Sequence, residues 1–422
     1  MHYFVYRGSE LFVEDVSVKE LAAEVGVPAY VYSARTLRRH YKVFDQALAG
    51  TDHLICFAVK ALSNLSVLKL LAAMGSGFDI VSQGELARCL RAGADPRKIV
   101  FSGVGKTAEE IAAALNAGIL MFNIESRPEL HQIAAIARRL DKRAPVSLRV
   151  NPDLDPGTHP HISTGHRTSK FGVPLTQLDE YYREAKAFKE LEVVGLSTHI
   201  GSQITESDPF REAGEKLAGA VRALWAKGIE LKYLDLGGGV GVPYRDESVE
   251  LADYSSAILK PLRPLNLRLI AEPGRVIAGN AGILLTRVLY IKETDVKRFI
   301  VIDGAMNDLI RPALYDAYHA IWPVEKREAA DLVVADVVGP VCESGDFFAR
   351  DRLLPLPRAG DLLAVMGAGA YGFVMASNYN SRPRPPEVLV DGRRWHIVRG
   401  RETFDDLVRG ERLVEVSPEP EQ

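Results

Sequence analysis

Cysteine is scarce in this 422-residue chain, where Cys56, Cys89 and Cys342 are the three present and share no CxxC spacing. That excludes a disulfide framework or a thiolate metal cage and leaves three expected free thiols. Long apolar runs are also lacking. No stretch approaches the ~20 residues of a membrane span. The opening Met1-His2-Tyr3-Phe4-Val5-Tyr6-Arg7 has no basic segment leading into an apolar one. The expectation is a soluble, cytoplasmic protein without a membrane partner. Blocks of one charge sign are missing too: charged residues make up 25% and the formal net charge is -3. No general basic surface is therefore offered to nucleic acid. Internal repeats and low-complexity tracts are absent, and only the closing SPEPEQ reads as disordered.

What is present is a large apolar fraction, 47% of the residues, in a length that suits two or three domains. From about residue 53 to 275, short β-rich runs alternate with amphipathic helical stretches, the pattern of parallel strands joined by crossover helices. Eight strands are expected, at 53–61, 77–81, 98–103, 119–126, 145–150, 192–201, 231–239 and 267–275. Eight suit a closed (β/α)8 barrel. The segment 107–118 shows the helical signals clearly, with a Thr cap, an acidic first turn, apolar Ile111, Ala114 and Leu115, and a closing Gly118. Two crossovers, 151–172 and 240–266, are longer than the topology needs and are expected to be functional. Beyond residue 276 the texture becomes period-two and β-branched, as in 287–293, 298–303, 331–339 and 361–366. The expected architecture is α/β plus β: a TIM-like barrel over 26–275 and an all-β domain of 276–422, with the strand-like pieces of residues 1–25 joining it.

In such a barrel the catalytic groups project from the carboxyl ends of the strands. Read in order, these ends offer Lys60, Asp79, Ser102, Glu125, Arg149, His199, Gly237 to Gly239, Glu272 and Arg275. A lysine pressed into low-dielectric surroundings loses its proton more easily, which suits Lys60 to attack an aldehyde and form a Schiff base; a lysine reaching for solvent would look the same. Gly237-Gly238-Gly239 would leave backbone N–H groups bare for a phosphate, or be a tight turn. Glu272 could pair with a protonated pyridine nitrogen, or simply with Arg275. His199 could lie against a planar cofactor and Ser202 add a hydroxyl to phosphate recognition. His159, His161 and His166 lack the helical spacing or paired carboxylate of a metal site, so no metal is expected. Later in the chain MNDLIRPALY (306–315), CESGDFFARDR (342–352) and GAYG (369–372) read as loops rather than plain strands. Cys342 beside Glu343 sets a possible proton donor next to a possible ammonium ligand.

Together with FAVKAL around Lys60, HISTGHRTSKFG (161–172), HIGSQ (199–203), LDLGGGVG (234–241), EPGR (272–275) and AYGF, these segments resemble the diaminopimelate decarboxylases in order and over nearly the whole chain. Those are pyridoxal-phosphate (PLP) enzymes that pair an alanine-racemase-like barrel with a β domain. The resemblance implies that Lys60 carries PLP, that His199 stacks on the ring, and that Gly237, Gly238 and Gly239, Ser202 and the Glu272-Pro273-Gly274-Arg275 turn hold cofactor, with Glu272 at the pyridine nitrogen. It implies that Arg275, Arg311 and Tyr315 bind substrate carboxylate, Glu343 the distal ammonium, and that Tyr371 lies at both phosphate and substrate. Cys342 becomes the donor that reprotonates the α-carbon, from a loop entering the neighbouring subunit of a homodimer. One departure is Leu62, where the family usually has Asn.

The implied reaction removes CO2 from the D-centre of meso-diaminopimelate to give L-lysine, the last step of lysine biosynthesis. Competing readings are a decarboxylase of D-ornithine, D-lysine, L-ornithine or arginine on the same scaffold, a non-catalytic PLP-binding protein, and a metal-dependent barrel hydrolase. The two arginines favour a substrate with a carboxylate at each end.

Overall fold

The computed structural model describes residues 1–154, 169–244, 250–327 and 331–416. Eight parallel strands, numbered β1 to β8 here, form its first unit: His53–Ala58, Gly77–Ile80, Ile99–Phe101, Met121–Ile124, Ala144–Asn151, Leu191–Thr198, Tyr233–Asp235 and Arg268–Ala271. Each pairs with its neighbour, and β8 pairs with β1, so the ring closes. All eight expected strands are present, most of them shorter than the apolar runs that announce them. The runs continue past the last paired residue because the turns at the carboxyl end are buried as well.

Outward-facing Leu, Ile, Phe and Val from the strands join the helices in one continuous apolar core, while Leu54, Cys56, Val100, Met121, Val194 and Ile270, which point into the barrel, form a separate small cluster. The helices begin where side chains can cap them. Thr107 and Glu110 form a reciprocal capping box on helix Ala108–Ala117, and Gly118 ends it in the left-handed conformation. The long 240–266 crossover holds a helix, Leu251–Leu262. Much of the other long crossover lies outside the described residues, including His159, His161 and His166, as does the SPEPEQ tail.

The second unit is a twisted sheet in which Phe347–Pro355, Leu332–Val338, Arg298–Ile302, Gly282–Glu293, Ala29–Ser33, Glu387–Asp391 and Arg394–Arg399 follow one another. Ala29–Ser33 lies inside the expected 26–275 span, yet it pairs antiparallel with Gly282–Glu293 and parallel with Glu387–Asp391. All five of its residues are buried, so both faces of this strand are covered. The opening strands Phe4–Arg7, Glu10–Val13 and Val16–Ser17 form their own three-stranded antiparallel sheet. They meet the second unit through shared apolar packing of Phe4, Leu11 and Val13 with Ile283, Val324 and Val388. Of the segment expected to be a loop at 342–352, residues from Phe347 onward are strand, and the true turn is 339–346.

Buried Glu387 links the two units. It accepts from Tyr32 Oη at 2.8 Å, Asn64 Nδ2 at 3.0 Å and Arg399 Nε at 2.7 Å. Asn64 also caps the helix Leu65–Ala73 that follows Lys60. Leu62 is buried in the apolar core.

Candidate active site at the carboxyl end of the barrel

β1 ends at Ala58, and Val59–Ala61 turn in a short 3-10 helix, so Lys60 sits just past the strand in which the sequence places it. Its ammonium donates to Asp79 Oδ2 of β2 at 2.7 Å. The side chain is 33% exposed because it lines a cavity with His199, Ser202, Gly238, Gly239, Glu272, Pro273, Gly274, Arg275 and Tyr371. The expectation that burial makes Lys60 easier to deprotonate is corrected here. Burial does push the ammonium down, but the carboxylates of Asp79 and Glu272 outweigh it and hold the pKa above its ordinary value.

The barrel floor beneath Lys60 is acidic. Asp79, Asp235 and Glu272 are all buried. Asp235 accepts from Asn123 Nδ2 at 2.8 Å and from the Gly237 N–H at 3.0 Å. Asn123 also donates to Ser102 Oγ at 3.1 Å. Burial pushes Glu272 well above the usual carboxyl range, with Asp235 and Asp79 adding repulsion, and burial raises Asp235 to about 6. Asp79 Oδ1 has no hydrogen-bond partner among the described residues. Three buried carboxyl groups around one ammonium make a setting that favours a further cation or N–H donor.

The glycine turn is required by close approach. A Cβ on Gly238 would stand 2.3 Å from the Glu272 carbonyl oxygen, and one on Gly237 2.5 Å from that of Thr198. Gly237 and Gly239 adopt positive φ angles of 65° and 115°. Two of the N–H groups expected to be bare are engaged, Gly237 by Asp235 and Gly238 by His199 Nδ1 at 3.0 Å. The second bond makes Nδ1 the acceptor. Burial, with Arg149 and Lys60 nearby, holds the His199 pKa well below its ordinary value, so the ring is neutral.

Arg275 does not pair with Glu272. Its Nε and Nη2 donate to Ser202 Oγ at 3.3 and 3.1 Å, and Nη1 to Tyr244 Oη at 3.0 Å. Its guanidinium lies 4.8 Å from the centre of the Tyr371 ring. Tyr371 has a φ of 56° and is pinned by its N–H to Ala61 O at 2.8 Å. Arg311, on the short helix Arg311–Tyr315 of the second unit, is buried, lies 4.7 Å over the Tyr244 ring and donates to His319 Nε2 at 3.0 Å. Both arginines bear on the Tyr244 hydroxyl; burial pushes its pKa up, but the two cations outweigh that and bring it below its ordinary value. Tyr315, at the end of the same helix, contributes to the field at Arg275.

Cys342 and Glu343 are not brought to this cavity. Both are exposed, with Cys342 Sγ 3.5 Å from Asn380 Oδ1 and Glu343 accepting from Tyr379 Oη at 2.9 Å. Sequence reasoning gave no role to Asp79 and did not single out Asn123, Asp235, Tyr244 or His319. A signal existed for Asp235, an acidic residue inside the apolar run LKYLDL. None existed for Tyr244 or His319: each meets one arginine within its own unit, and the approach of the two units joins the pairs.

Comparison with known proteins agrees with this geometry. Residues 34–279, more than half of the chain, match the family described as "Pyridoxal-dependent decarboxylase, pyridoxal binding domain". A diaminopimelate decarboxylase of Pseudomonas aeruginosa is 54% identical over 415 residues, covering 98% of this chain and 100% of the relative. The crystal structure of the Helicobacter pylori diaminopimelate decarboxylase with L-lysine superposes with a TM-score of 0.90 at 45% identity, covering 93% of this chain and 98% of that one. That of M. jannaschii with L-lysine gives 0.93 at 37% identity, covering 97% and 98%. With an acid-floored lysine cavity in a closed barrel, and full-length relatives at this identity, the chain belongs to the diaminopimelate decarboxylases, a family of pyridoxal-dependent carboxy-lyases.

Proposed function

We propose that this chain decarboxylates meso-diaminopimelate at its D-centre to L-lysine and CO2, and that the residues of the Lys60 cavity hold pyridoxal phosphate for that reaction. The carrying observation is the pair of buried guanidinium groups, Arg275 and Arg311, gathered on Tyr244 without a carboxylate partner among the described residues. Two cations beside a lysine cavity suit a substrate that keeps a carboxylate after losing CO2. A simple diamine product would leave them without a counter-ion.

The residues fit the cofactor. Lys60 would hold it through its amine, and Glu272, buried with a raised pKa, would face its ring nitrogen. Gly239, Ser202 and the Pro273-Gly274-Arg275 turn, with Gly237 and Gly238 setting the close approach, would take the phosphate. Pyridoxal phosphate supplies an electron-accepting ring for the charge released when CO2 leaves. Neutral His199 offers a flat face with no charge to compete with that ring. Asp79 holds the Lys60 ammonium, and so keeps a proton at Nζ.

Arg275, Arg311 and Tyr315 would bind the retained carboxylate. Holding the departing one would stabilise the ground state and slow the reaction. Tyr371, locked by its backbone bond to Ala61, would orient substrate against phosphate. Exposed Cys342 and Glu343 support a homodimer in which each reaches the partner's cavity, Cys342 to protonate the α-carbon and Glu343 to bind the distal ammonium. Among the described residues no helix is long and apolar enough to cross a membrane; a cytoplasmic location is part of the same proposal.

The test is incubation of the PLP-loaded protein with meso-diaminopimelate and, separately, D-lysine, D-ornithine and the L-isomers of lysine, ornithine and arginine, measuring CO2 and amine product. L-lysine formed from meso-diaminopimelate alone is expected. Turnover of another amino acid instead would overturn the substrate assignment.

A further inference from the structure

His319 lies between the helix Arg311–Tyr315 and the strand Ile321–Pro323 and is fully buried. Both ring nitrogens are engaged. Nδ1 is 2.8 Å from the Met366 carbonyl oxygen, and Nε2 is 3.0 Å from Arg311 Nη1. A carbonyl can only accept, so Nδ1 carries the proton; a guanidinium can only donate, so Nε2 must be the acceptor. The neighbours thus admit one tautomer, and it is neutral. Burial and the Arg311 charge push the imidazole pKa down to about 3. The Tyr244 ring meets His319 edge-on at 5.5 Å and 68°, while its hydroxyl accepts from Arg275. His319 and Tyr244 therefore fix the two guanidinium groups from two sides.

We propose that His319 is a positioning residue that aims Arg311 at the retained carboxylate of the substrate, acting as a neutral acceptor that orients the guanidinium without cancelling its charge. A carboxylate in the same place would hold Arg311 more strongly but would compete with the substrate for it. A neutral acceptor leaves the full positive charge for the ligand. The proposal rests on the reading that Arg311 binds that carboxylate.

The test compares steady-state kinetics of the holoenzyme with meso-diaminopimelate for His319→Asn, His319→Gln and Arg311→Met. Asn keeps a donor toward Met366 and withdraws the acceptor from Arg311, so KM should rise roughly tenfold with kcat changed by less than about threefold. Gln places an amide oxygen near the Nε2 position and should bring KM back toward the wild-type value. Equal effects of Asn and Gln, or a fall in kcat with KM unmoved, would overturn the proposal. If Arg311→Met raises KM while His319→Asn does not, the proposal fails and the reading of Arg311 survives. If Arg311→Met leaves KM unchanged, that reading fails and the proposal with it. A measurement on the unsubstituted holoenzyme covers the case in which His319→Asn does not fold: nitrogen NMR of the His319 ring should show one non-titrating Nδ1–H tautomer from pH 5 to 9, on the order of the range in which free imidazole titrates. A titrating ring, or the Nε2–H tautomer, would overturn the proposal.

Discussion

The floor of the cavity and its arginine wall carry opposite charges and are built differently. Asp79, Asp235 and Glu272 come from the barrel alone, on or just past β2, β7 and β8, where inward alternation sets their direction. The wall needs both units, since Arg275 follows β8 whereas Arg311 and His319 belong to the second unit and Tyr244 lies between them. A negative floor can be made by one closed sheet. The positive wall exists only when the second unit is seated on the barrel. In the proposed function, cofactor chemistry belongs to the first and substrate choice to the contact between the two.

The comparison breaks most completely at Lys60. Lys60→Ala should lower decarboxylation to the detection limit and abolish the covalent cofactor adduct seen by mass spectrometry after borohydride reduction; a retained adduct would remove Lys60 from cofactor attachment. Next comes Cys342, which the proposal assigns to the cavity of a partner chain. Cys342→Ala should reduce kcat by about 10²- to 10⁴-fold, and mixing it with Lys60→Ala chains should restore part of the activity through hybrid dimers. No recovery on mixing would count against shared sites.

A pH series sharpens the acidic half. The folded pKa of Asp235, raised from 3.8 to about 6, means that the folded state binds its proton more tightly than the unfolded one. This group's stabilising contribution is therefore complete below about 4 and is lost as pH rises through about 6. In the cofactor-free protein, thermal midpoints across this window should show a downward component on raising pH that Asp235→Asn removes; an unchanged slope would show that Asp235 is not its source. The smallest effect is expected at Leu62. Leu62→Asn would bury an amide in the apolar core at a cost of about 1–3 kcal/mol, visible as a lower thermal midpoint with the affinity for substrate little changed.

The strands were legible because a parallel barrel buries both faces of each strand and writes eight apolar runs at crossover spacing. The cavity residues Lys60, His199, Glu272 and Arg275 were legible from their places at the ends of those runs. The proton balance at Lys60 was not, since it depends on Asp79 and Glu272, 19 and 212 positions away along the chain, whose carboxylates outweigh burial. Nor was the membership of Ala29–Ser33, which resembles any buried strand until its partners at Gly282–Glu293 and Glu387–Asp391 are seen.

The sequence by itself determined the closed parallel barrel, the change to β structure after it, and the polar groups at the strand ends, because periodicity and local capping are encoded within a few residues. Tertiary structure alone decided the charge on each group and the meeting of Tyr244 and His319 with the two arginines. Those outcomes depend on distances across the fold, and electrostatic interactions in a buried site follow spatial separation, not separation along the chain.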